Sequence, residues 1–324
     1  MREFKLGPAT RDAYGEALLE LGKENPDIVV LDADLSESTR TKKFGETFPE
    51  RFFNVGIAEA NMVSVAAGLA RAGKIPFISS FACFLLCKGY DQLRVGVAFP
   101  QSNVKIVASH GGISIGEDGP SQQSVEDIAL ACALPGMWAV VPADQMATSA
   151  LVRKAAEHMG PVYVRVGRPK APIIYPDGSP FELGKAFVHR LGKDATIVAN
   201  GLLLAEAFKA ENLLRQKGLD VGVIDMHTVK PVDEEAVAEA ARVSGALVTA
   251  EEHLLTGGLA NQVVQAAART HPVPIECVGI KDTYAESGTP EQLMEKYGLT
   301  ASHVVRAVET VVQRKKKSSP VLAD

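Results

Sequence analysis

A single carboxyl group interrupts a long uncharged segment in the first third of the chain. The residues between Arg51 and Arg71 are rich in alanine and valine, and Glu59 is their only ionisable side chain. Two interpretations are open. At the exposed first turn of a helix, the helix dipole favours a negative charge. In a core, the loss of hydration favours the protonated acid unless a partner shares its proton, and this placement would make Glu59 a candidate for proton chemistry.

The elements that would position Glu59 follow an α/β pattern. Short apolar runs, typical of buried strands, alternate with stretches of helical character. The strand candidates are residues 28–31, 76–78, 104–107, 138–141 and 162–164, and the helix candidates are residues 11–23, 59–71 and 144–158. This alternation predicts a parallel sheet with helices on both faces.

A second, smaller α/β domain is predicted after a linker. Residues 168–184 are rich in proline, glycine and aspartate, which is typical of a connecting segment. New strand candidates then follow at residues 195–198, 221–225, 246–249 and 275–278. The predicted division is a first domain with its linker, a second domain and a flexible basic tail, at residues 1–184, 185–313 and 314–324.

Composition excludes several classes of function. The 324 residues suffice for two domains of about 150 residues each. A hydrophobic content of 46% and a charged content of 23% are ordinary for a globular protein. A net charge of −5 does not favour binding to nucleic acid or to an anionic membrane. No apolar run approaches the roughly 20 residues of a membrane span, and no signal-peptide pattern precedes Arg11, so we expect a cytoplasmic protein. The four cysteines lie in apolar sequence and are expected to be reduced core residues.

Three motifs along the chain carry a family resemblance. Gly-Ile-Ala-Glu-Ala-Asn-Met starts at Gly56, Phe-Ala-Cys-Phe at Phe81, and Gly-Glu-Asp-Gly-Pro-Ser-Gln at Gly116, after His110. In this order they resemble the pyrimidine-binding half of transketolases. The likeness runs from Ala9-Thr10-Arg11 to the strings Glu251-Glu252-His253 and Gly257-Gly258-Leu259. It implies two three-layer α/β/α domains, a parallel-sheet pyrimidine-binding domain followed by a smaller mixed-sheet transketolase C-terminal domain.

The resemblance implies a site for thiamine diphosphate. Glu59 falls at the position of the glutamate that bonds N1′ of the aminopyrimidine ring and favours the imino form that takes the proton from C2 of the thiazolium. Phe81 and Phe84 match the phenylalanines that hold this ring, although such a pair in an apolar run is by itself usually core. Gln122 stands where many transketolases have histidine, and it can form hydrogen bonds without transferring a proton. Cys87 replaces a tyrosine that is common in microbial and yeast relatives.

A sugar phosphate substrate is implied by the same alignment. His110 and Asp118 match residues that bond substrate hydroxyls and support the reacting centre. The positions for the distal phosphate are Arg11, Ser38 and Arg168, with His110 nearby. Arginine suits this role because its planar fork binds phosphate bidentately. Arg165 is the alternative if the strand register differs by a few residues.

One expected part of such an enzyme is missing. Thiamine-dependent enzymes hold the diphosphate through a divalent metal bound by a Gly-Asp-Gly motif, and this sequence contains none. The resemblance therefore implies that an N-terminal transketolase subunit holds Mg²⁺ or Ca²⁺ and the diphosphate. The expected assembly is a heterotetramer built on a dimer of this chain, inactive without its partner. Apolar residues around Phe84, Leu85 and Leu86 are expected to be partly interface.

The functional prediction is transfer of a two-carbon ketol unit from a ketose phosphate to an aldose phosphate. One alternative is 1-deoxy-D-xylulose-5-phosphate synthase, which shares the architecture. Another is the beta subunit of a 2-oxo acid dehydrogenase, which has this length but a Ser-Glu context for its glutamate. A third is a catalytically silent binding protein of the same fold, against which the intact set of candidate site residues argues.

Overall fold

A computed structural model describes residues 4–318 of the chain. The strands are β1 (Leu6–Ala9), β2 (Ile28–Asp32), β3 (Phe52–Asn54), β4 (Ile75–Phe81), β5 (Lys105–Ser109), β6 (Trp138–Val140), β7 (Val162–Arg165), β8 (Lys170–Pro172), β9 (Phe187–Arg190), β10 (Ala195–Ala199), β11 (Val221–Asp225), β12 (Thr228–Lys230), β13 (Leu247–Leu254) and β14 (Ile275–Ile280). The helices are α1 (Thr10–Glu24), α2 (Ser36–Thr39), α3 (Lys42–Thr47), α4 (Glu59–Arg71), α5 (Ala82–Lys88), α6 (Tyr90–Gln92), α7 (Asp127–Ala133), α8 (Gln145–Glu157), α9 (Leu203–Gln216), α10 (Glu234–Ser244), α11 (Leu259–Thr270), α12 (Pro290–Lys296) and α13 (Ala301–Ser318). A 3₁₀ turn spans Pro49–Arg51, and a π-helical turn spans Leu93–Ala98.

The first sheet has seven strands in the order β12-β6-β7-β5-β4-β2-β3. All pairs are parallel except β12 with β6. Helices cover both faces, as β2 illustrates: Ile28 and Val30 pack in one core with residues of α1 and α8, whereas Val29 and Leu31 pack in a second core with residues of α4 and α5. A strand buried on both faces shows a continuous apolar run, and this run is the signal that the sequence carried.

The second sheet has five strands in the order β14-β13-β10-β11-β9, with β9 antiparallel to its neighbour. Residues of α9 and α13 pack on one face and residues of α10 and α11 on the other. The α/β class and the mixed second sheet are therefore confirmed. Within residues 4–318, no helix combines the length and apolarity that crossing a bilayer requires.

Strand β12 does not follow the predicted division of the chain into two domains. It follows β11 of the second sheet but pairs with β6, so a segment inside the range predicted as the second domain completes the first sheet. The linker is also structured: β8 pairs antiparallel with β1, and the Asp144 carboxylate, which caps α8, accepts the amides of Ile174 and Tyr175. Strand β12 therefore connects the second unit to the first sheet, whereas the contacts of the linker fix it to the first unit.

Two details differ from the sequence-based expectations. Helix α13 continues through Ser318, so residues 314–318 of the expected flexible tail are helical, and the rest of that tail lies outside the described residues. Of the four cysteines expected in the core, Cys83 is buried and Cys132 and Cys277 are partly buried, whereas Cys87 is exposed because it lies on the outer side of the short helix α5. All four cysteines are free thiols.

Candidate active site

Glu59 lies at the first turn of a helix and is also buried, so it combines the two placements that the sequence left open. It is the first residue of α4, where the helix dipole favours negative charge, and yet only 2% of its surface is exposed. Ser80 Oγ donates to Glu59 Oε1 at 3.3 Å, and Lys88 Nζ lies 3.5 Å from Oε2. Lys88 itself is half exposed, so the carboxylate is buried behind a side chain that can move into solvent.

Three flat side chains stack in a row beside this carboxylate. The rings of Phe81 and Phe84 stack with centroids 5.4 Å apart, and the rings of Phe81 and His110 stack with centroids 3.7 Å apart. The Lys88 amine lies 4.4 Å above the centroid of Phe84. One nitrogen thus contacts both the Phe84 ring and Glu59. A flat heterocycle stacked on Phe84 could place a ring nitrogen against the same carboxylate.

The interface expected around Phe84 needs a correction. Leu85 and Leu86 are fully buried in this chain's own core, because α5 turns these side chains towards the sheet, whereas Phe84 stays partly exposed. The prediction that Leu85 and Leu86 form part of an interface is therefore wrong. The large apolar side chains that are exposed in this region lie before α4, on α4 and around the π-helical turn: Ile57, Val65, Val95 and Phe99.

His110 follows β5 with a backbone φ of +61°, a strained value for a residue other than glycine. Its Nε2 lies 3.4 Å from Arg11 Nη1, and its Nδ1 lies 2.8 Å from Ser109 Oγ. Because a guanidinium can only donate, Nε2 accepts and Nδ1–H donates to Ser109. Burial lowers the pKa of His110 to about 3, with further lowering by Arg11, Arg168 and Arg40. The imidazole is therefore neutral near pH 7.

Arg11 forms the centre of a positively charged cluster. Its Nη1 donates to the Ser38 carbonyl at 3.0 Å, whereas its buried Nε finds no hydrogen-bond acceptor in the described part of the chain. Burial lowers the pKa of Arg11, and the neighbouring Arg40 and Arg168 lower it further. Arg40 pairs with Asp12 at 2.6 Å. A bound anion would stabilise this cluster, because it would accept from the buried Arg11 Nε–H and offset the charges of the neighbouring arginines. A phosphate subsite needs this property.

Arg168 and Asp118 face each other at the edge of this cluster. Arg168 Nη1 lies 3.4 Å from Asp118 Oδ1 and donates to the Ile115 carbonyl at 2.7 Å. Both side chains are about one-third exposed and can reach a ligand. Arg165 lies differently. It is 5% exposed, and its guanidinium is engaged with Asp127 and with two backbone carbonyls, so it is less accessible to a ligand than Arg168.

The loop that ends at Gln122 packs against the aromatic pair. The Cys83 thiol donates to the Gln122 carbonyl at 3.3 Å, and the Gln122 side-chain oxygen accepts from Ser121 Oγ at 2.6 Å. The Cys87 thiol lies 3.8 Å from Glu126 Oε1 on the far side of that loop. Within residues 4–318, no group of three or more His, Cys, Asp or Glu side chains is arranged to hold a metal ion.

Direct contacts therefore link most of the predicted residues in one cluster, and four residues that the sequence did not reveal contact its members. Those four are Ser80, Lys88, Ser109 and Arg40. A signal existed for the two serines, because each is at or next to the last residue of a parallel strand, directly before a predicted site residue. Ligands of open α/β sheets bind at the carboxyl ends of the strands, so such positions are candidates.

Comparisons with known proteins agree with this architecture. The family descriptions "Transketolase, pyrimidine binding domain" and "Transketolase, C-terminal domain" match residues 7–173 and 184–304. The chain is 42% identical to a transketolase C-terminal section of Methanocaldococcus jannaschii, covering 92% of this chain and 94% of that one. It is also 42% identical to a 6-deoxy-6-sulfo-D-fructose transketolase subunit of a Clostridium species, covering 94% and 95%. A split-gene transketolase solved as an inactive tetramer of beta subunits superposes with a TM-score of 0.90 at 50% identity, covering 95% of this chain and all of that one. This chain belongs to the transketolase family.

Proposed function

We propose that this chain is the C-terminal subunit of a thiamine diphosphate-dependent transketolase, which transfers a two-carbon ketol unit from a ketose phosphate to an aldose phosphate. One observation carries the proposal: the buried Glu59 carboxylate and the Phe84 ring share a single nitrogen neighbour, the Lys88 amine. A stacked aminopyrimidine requires this combination of a flat apolar surface and a shielded carboxyl group in reach of its ring nitrogen.

The residues present suit this cofactor. When bound, thiamine diphosphate supplies the nucleophilic carbon and the electron sink for ketol transfer. Glu59 would hold and share a proton at the ring nitrogen, with Ser80 fixing its other oxygen. Phe84 would support the ring and, with Phe81, keep water from the carboxylate. The diphosphate and its Mg²⁺ or Ca²⁺ are assigned to the N-terminal subunit.

The cation cluster suits the distal group of the substrate. Arg11 and Arg168 would bind a tetrahedral anion, with the Arg11 Nε–H as the open donor. His110 contacts both Arg11 of that cluster and the Phe81 ring, and Asp118 faces Arg168, so these two side chains would contact hydroxyls next to the reacting carbon. One similar subunit is named for a sulfosugar, whose sulfonate is also a tetrahedral anion. The donor test therefore includes both a phosphate and a sulfonate.

A donor series tests the proposed reaction. The chain is mixed with a candidate N-terminal subunit, thiamine diphosphate and Mg²⁺, with ribose 5-phosphate as acceptor. We expect turnover of xylulose 5-phosphate. Selective turnover of 6-deoxy-6-sulfofructose would keep the reaction but change the substrate. Parallel assays offer pyruvate with glyceraldehyde 3-phosphate as acceptor, or with an artificial electron acceptor. Turnover of pyruvate in either assay and of none of the ketoses would overturn the proposal, in favour of the synthase or of the 2-oxo acid dehydrogenase subunit respectively.

We also propose that the chain pairs with itself and with an N-terminal subunit carrying a Gly-Asp-Gly motif, as a heterotetramer. The similar split-gene structure, an inactive tetramer of beta subunits, supports both self-association and the need for a partner. Exposed apolar residues around α4, such as Ile57 and Phe99, support a covered surface beside Glu59.

The neutral state of His110 predicts its pH behaviour. His110→Asn tolerates the left-handed backbone, but its side chain is too short to keep the contacts of the imidazole with Arg11 and Phe81. We expect kcat/KM to fall about 10- to 100-fold, the effect of one lost hydrogen bond to a charged group and the lost ring stack. Because the pKa of His110 lies at about 3, its protonation does not shape the pH profile near neutrality. The fall of kcat/KM at low pH should therefore occur at the same pH in the wild type and in His110→Asn. An acid limb near pH 6 that disappears in His110→Asn would contradict this assignment.

Lys88 predicts a gain in cofactor affinity. Its amine must leave Phe84 and Glu59 before a ring can occupy that place, so Lys88→Ala should bind thiamine diphosphate more tightly. A half-exposed ion pair is worth up to about 1 kcal/mol, which corresponds to about fivefold in Kd. Calorimetry on the mixed complex measures the Kd of thiamine diphosphate. Lys88→Arg is the control, because it keeps the positive charge. Weaker binding by Lys88→Ala would show that Lys88 contacts the cofactor instead.

A further inference from the structure

The loop between β5 and α7 carries Asp118 and Gln122, and it is anchored at its base. The Gly112 amide donates to the Ser124 carbonyl at 2.7 Å, which closes the loop across its two ends. Left-handed φ values at Gly112, Gly116 and Gly119 allow its sharp turns. Hydrogen bonds inside the segment close these turns, as from the Gly116 amide to the Ile113 carbonyl at 3.1 Å. Because no strand within residues 4–318 pairs with the segment, contacts from outside the loop hold it against the two domains.

The C-terminal domain supplies such a side chain. Glu252 lies on β13, is nearly fully buried, and accepts the Ser114 amide on Oε1 at 2.6 Å. Gly112 makes room for this carboxylate, since a methyl group there would lie 2.2 Å from Glu252 Oε1. A second contact reaches the loop from the same domain: Gln123 Nε2 donates to the Glu286 carbonyl at 3.0 Å.

Arg165 connects the anchor to the first sheet. Its guanidinium donates to the Glu252 carbonyl and to the Ser124 carbonyl, both at 2.9 Å, and pairs with Asp127 at 3.0 Å. Gly111 passes directly over it, since a methyl group at this glycine would lie 2.1 Å from Arg165 Nε. These contacts fix the base of the loop against both domains.

The anchor lies one residue from a substrate contact. Ser114 is held by Glu252, and the next residue, Ile115, accepts Arg168 Nη1 on its carbonyl at 2.7 Å. Arg168 in turn faces Asp118. We propose that Glu252 is a positioning residue of the C-terminal domain, which holds the Ser114–Ile115 segment so that Arg168 faces the anionic end of the substrate and Asp118 faces its hydroxyls. This inference rests on the proposed function.

The first test substitution shortens the Glu252 side chain but keeps its carboxyl group. Glu252→Asp withdraws the carboxylate by one methylene, and we expect KM for the ketose phosphate to rise about tenfold in the mixed complex, with kcat changed less than about threefold. Thiamine diphosphate affinity should stay within about twofold, because no cofactor contact changes. Glu252→Gln keeps an oxygen that can accept the Ser114 amide and should restore most of the wild-type KM.

Glu251 offers the matched control on the same strand. It is as deeply buried, but its carboxylate accepts the Leu259 and Ala260 amides at the start of α11. Glu251→Asp should lower the melting temperature without changing KM. If Glu251→Asp raises KM as much as Glu252→Asp does, or if neither variant changes it, Glu252 does not position the substrate contacts.

A readout without activity separates this inference from the proposed function. In the chain alone, Glu252→Asp should speed hydrogen exchange of the Ser114 amide about tenfold, and Glu251→Asp should not. If the wild-type complex transfers no ketol unit, the proposed function fails, and the exchange rates still decide whether Glu252 anchors the loop. Unchanged exchange at Ser114 in Glu252→Asp overturns the anchor in either case.

Discussion

Glu59→Gln is expected to reduce kcat of the mixed complex by about 10²- to 10⁴-fold, the range over which a positioned acid–base group acts. Glutamine has the same size and can still accept from Ser80 Oγ, so the packing at the start of α4 should be kept. An amide cannot share a proton with a ring nitrogen, and this loss is specific to the chemistry. Steady-state kcat and the exchange rate of the cofactor C2 proton are the two measurements.

Glu251→Gln is the control for this loss. Both glutamates are buried, but the contacts of Glu251 lie within the C-terminal domain. We expect Glu251→Gln to retain kcat within about threefold even where its melting temperature falls. Full activity of Glu59→Gln would show that Glu59 takes no part in the reaction. Its burial would then have a structural reason only.

Arg168→Ala is expected to raise KM for a phosphorylated donor by about 10- to 100-fold. A charge-assisted hydrogen bond contributes about 1.5 to 3 kcal/mol, and each 1.4 kcal/mol is a factor of ten. The affinity for thiamine diphosphate should hardly change, because the contacts of Arg168 lie with Ile115, Glu117 and Asp118 rather than with Phe84. Arg168→Lys keeps a point charge without the fork, so an intermediate KM is expected.

A donor without phosphate separates two causes of the Arg168 effect. With the ketose erythrulose, Arg168→Ala should leave KM within about twofold, since no anion is there to bind. An equal rise of KM for both donors would mean that Arg168 acts only by holding the Ile115 carbonyl. A KM unchanged for the phosphorylated donor would show that Arg168 does not contact the phosphate.

The sequence indicated the sheets and the burial of Glu59 through simple physical signals. Strands such as β2 and β5 are buried on both faces and therefore appear as apolar runs, and Glu59 stands out because its surroundings contain no other charge. Helix α4 begins and ends at the predicted residues. In each case a single segment holds all the information that the prediction requires.

Features that depend on contacts between distant segments could not be predicted. The three residues of β12 have no periodicity that would assign them to the first sheet. Helix α5 is apolar on nearly every side, so its pattern does not reveal that Leu85 and Leu86 face inward while Cys87 faces outward. Arg165 and Arg168 are three residues apart, and only the end of β7 decides which of them stays in the core.

The central claim is that this chain holds one half of a shared active site, and reconstitution tests it most directly. Transketolase activity is measured with xylulose 5-phosphate, ribose 5-phosphate, thiamine diphosphate and Mg²⁺ for this chain alone, for an N-terminal subunit carrying the Gly-Asp-Gly motif alone, and for the mixture. We expect activity in the mixture only, saturating at an equal ratio of the two chains. Full activity of this chain alone, or a stable complex without activity towards any ketose donor, would contradict it.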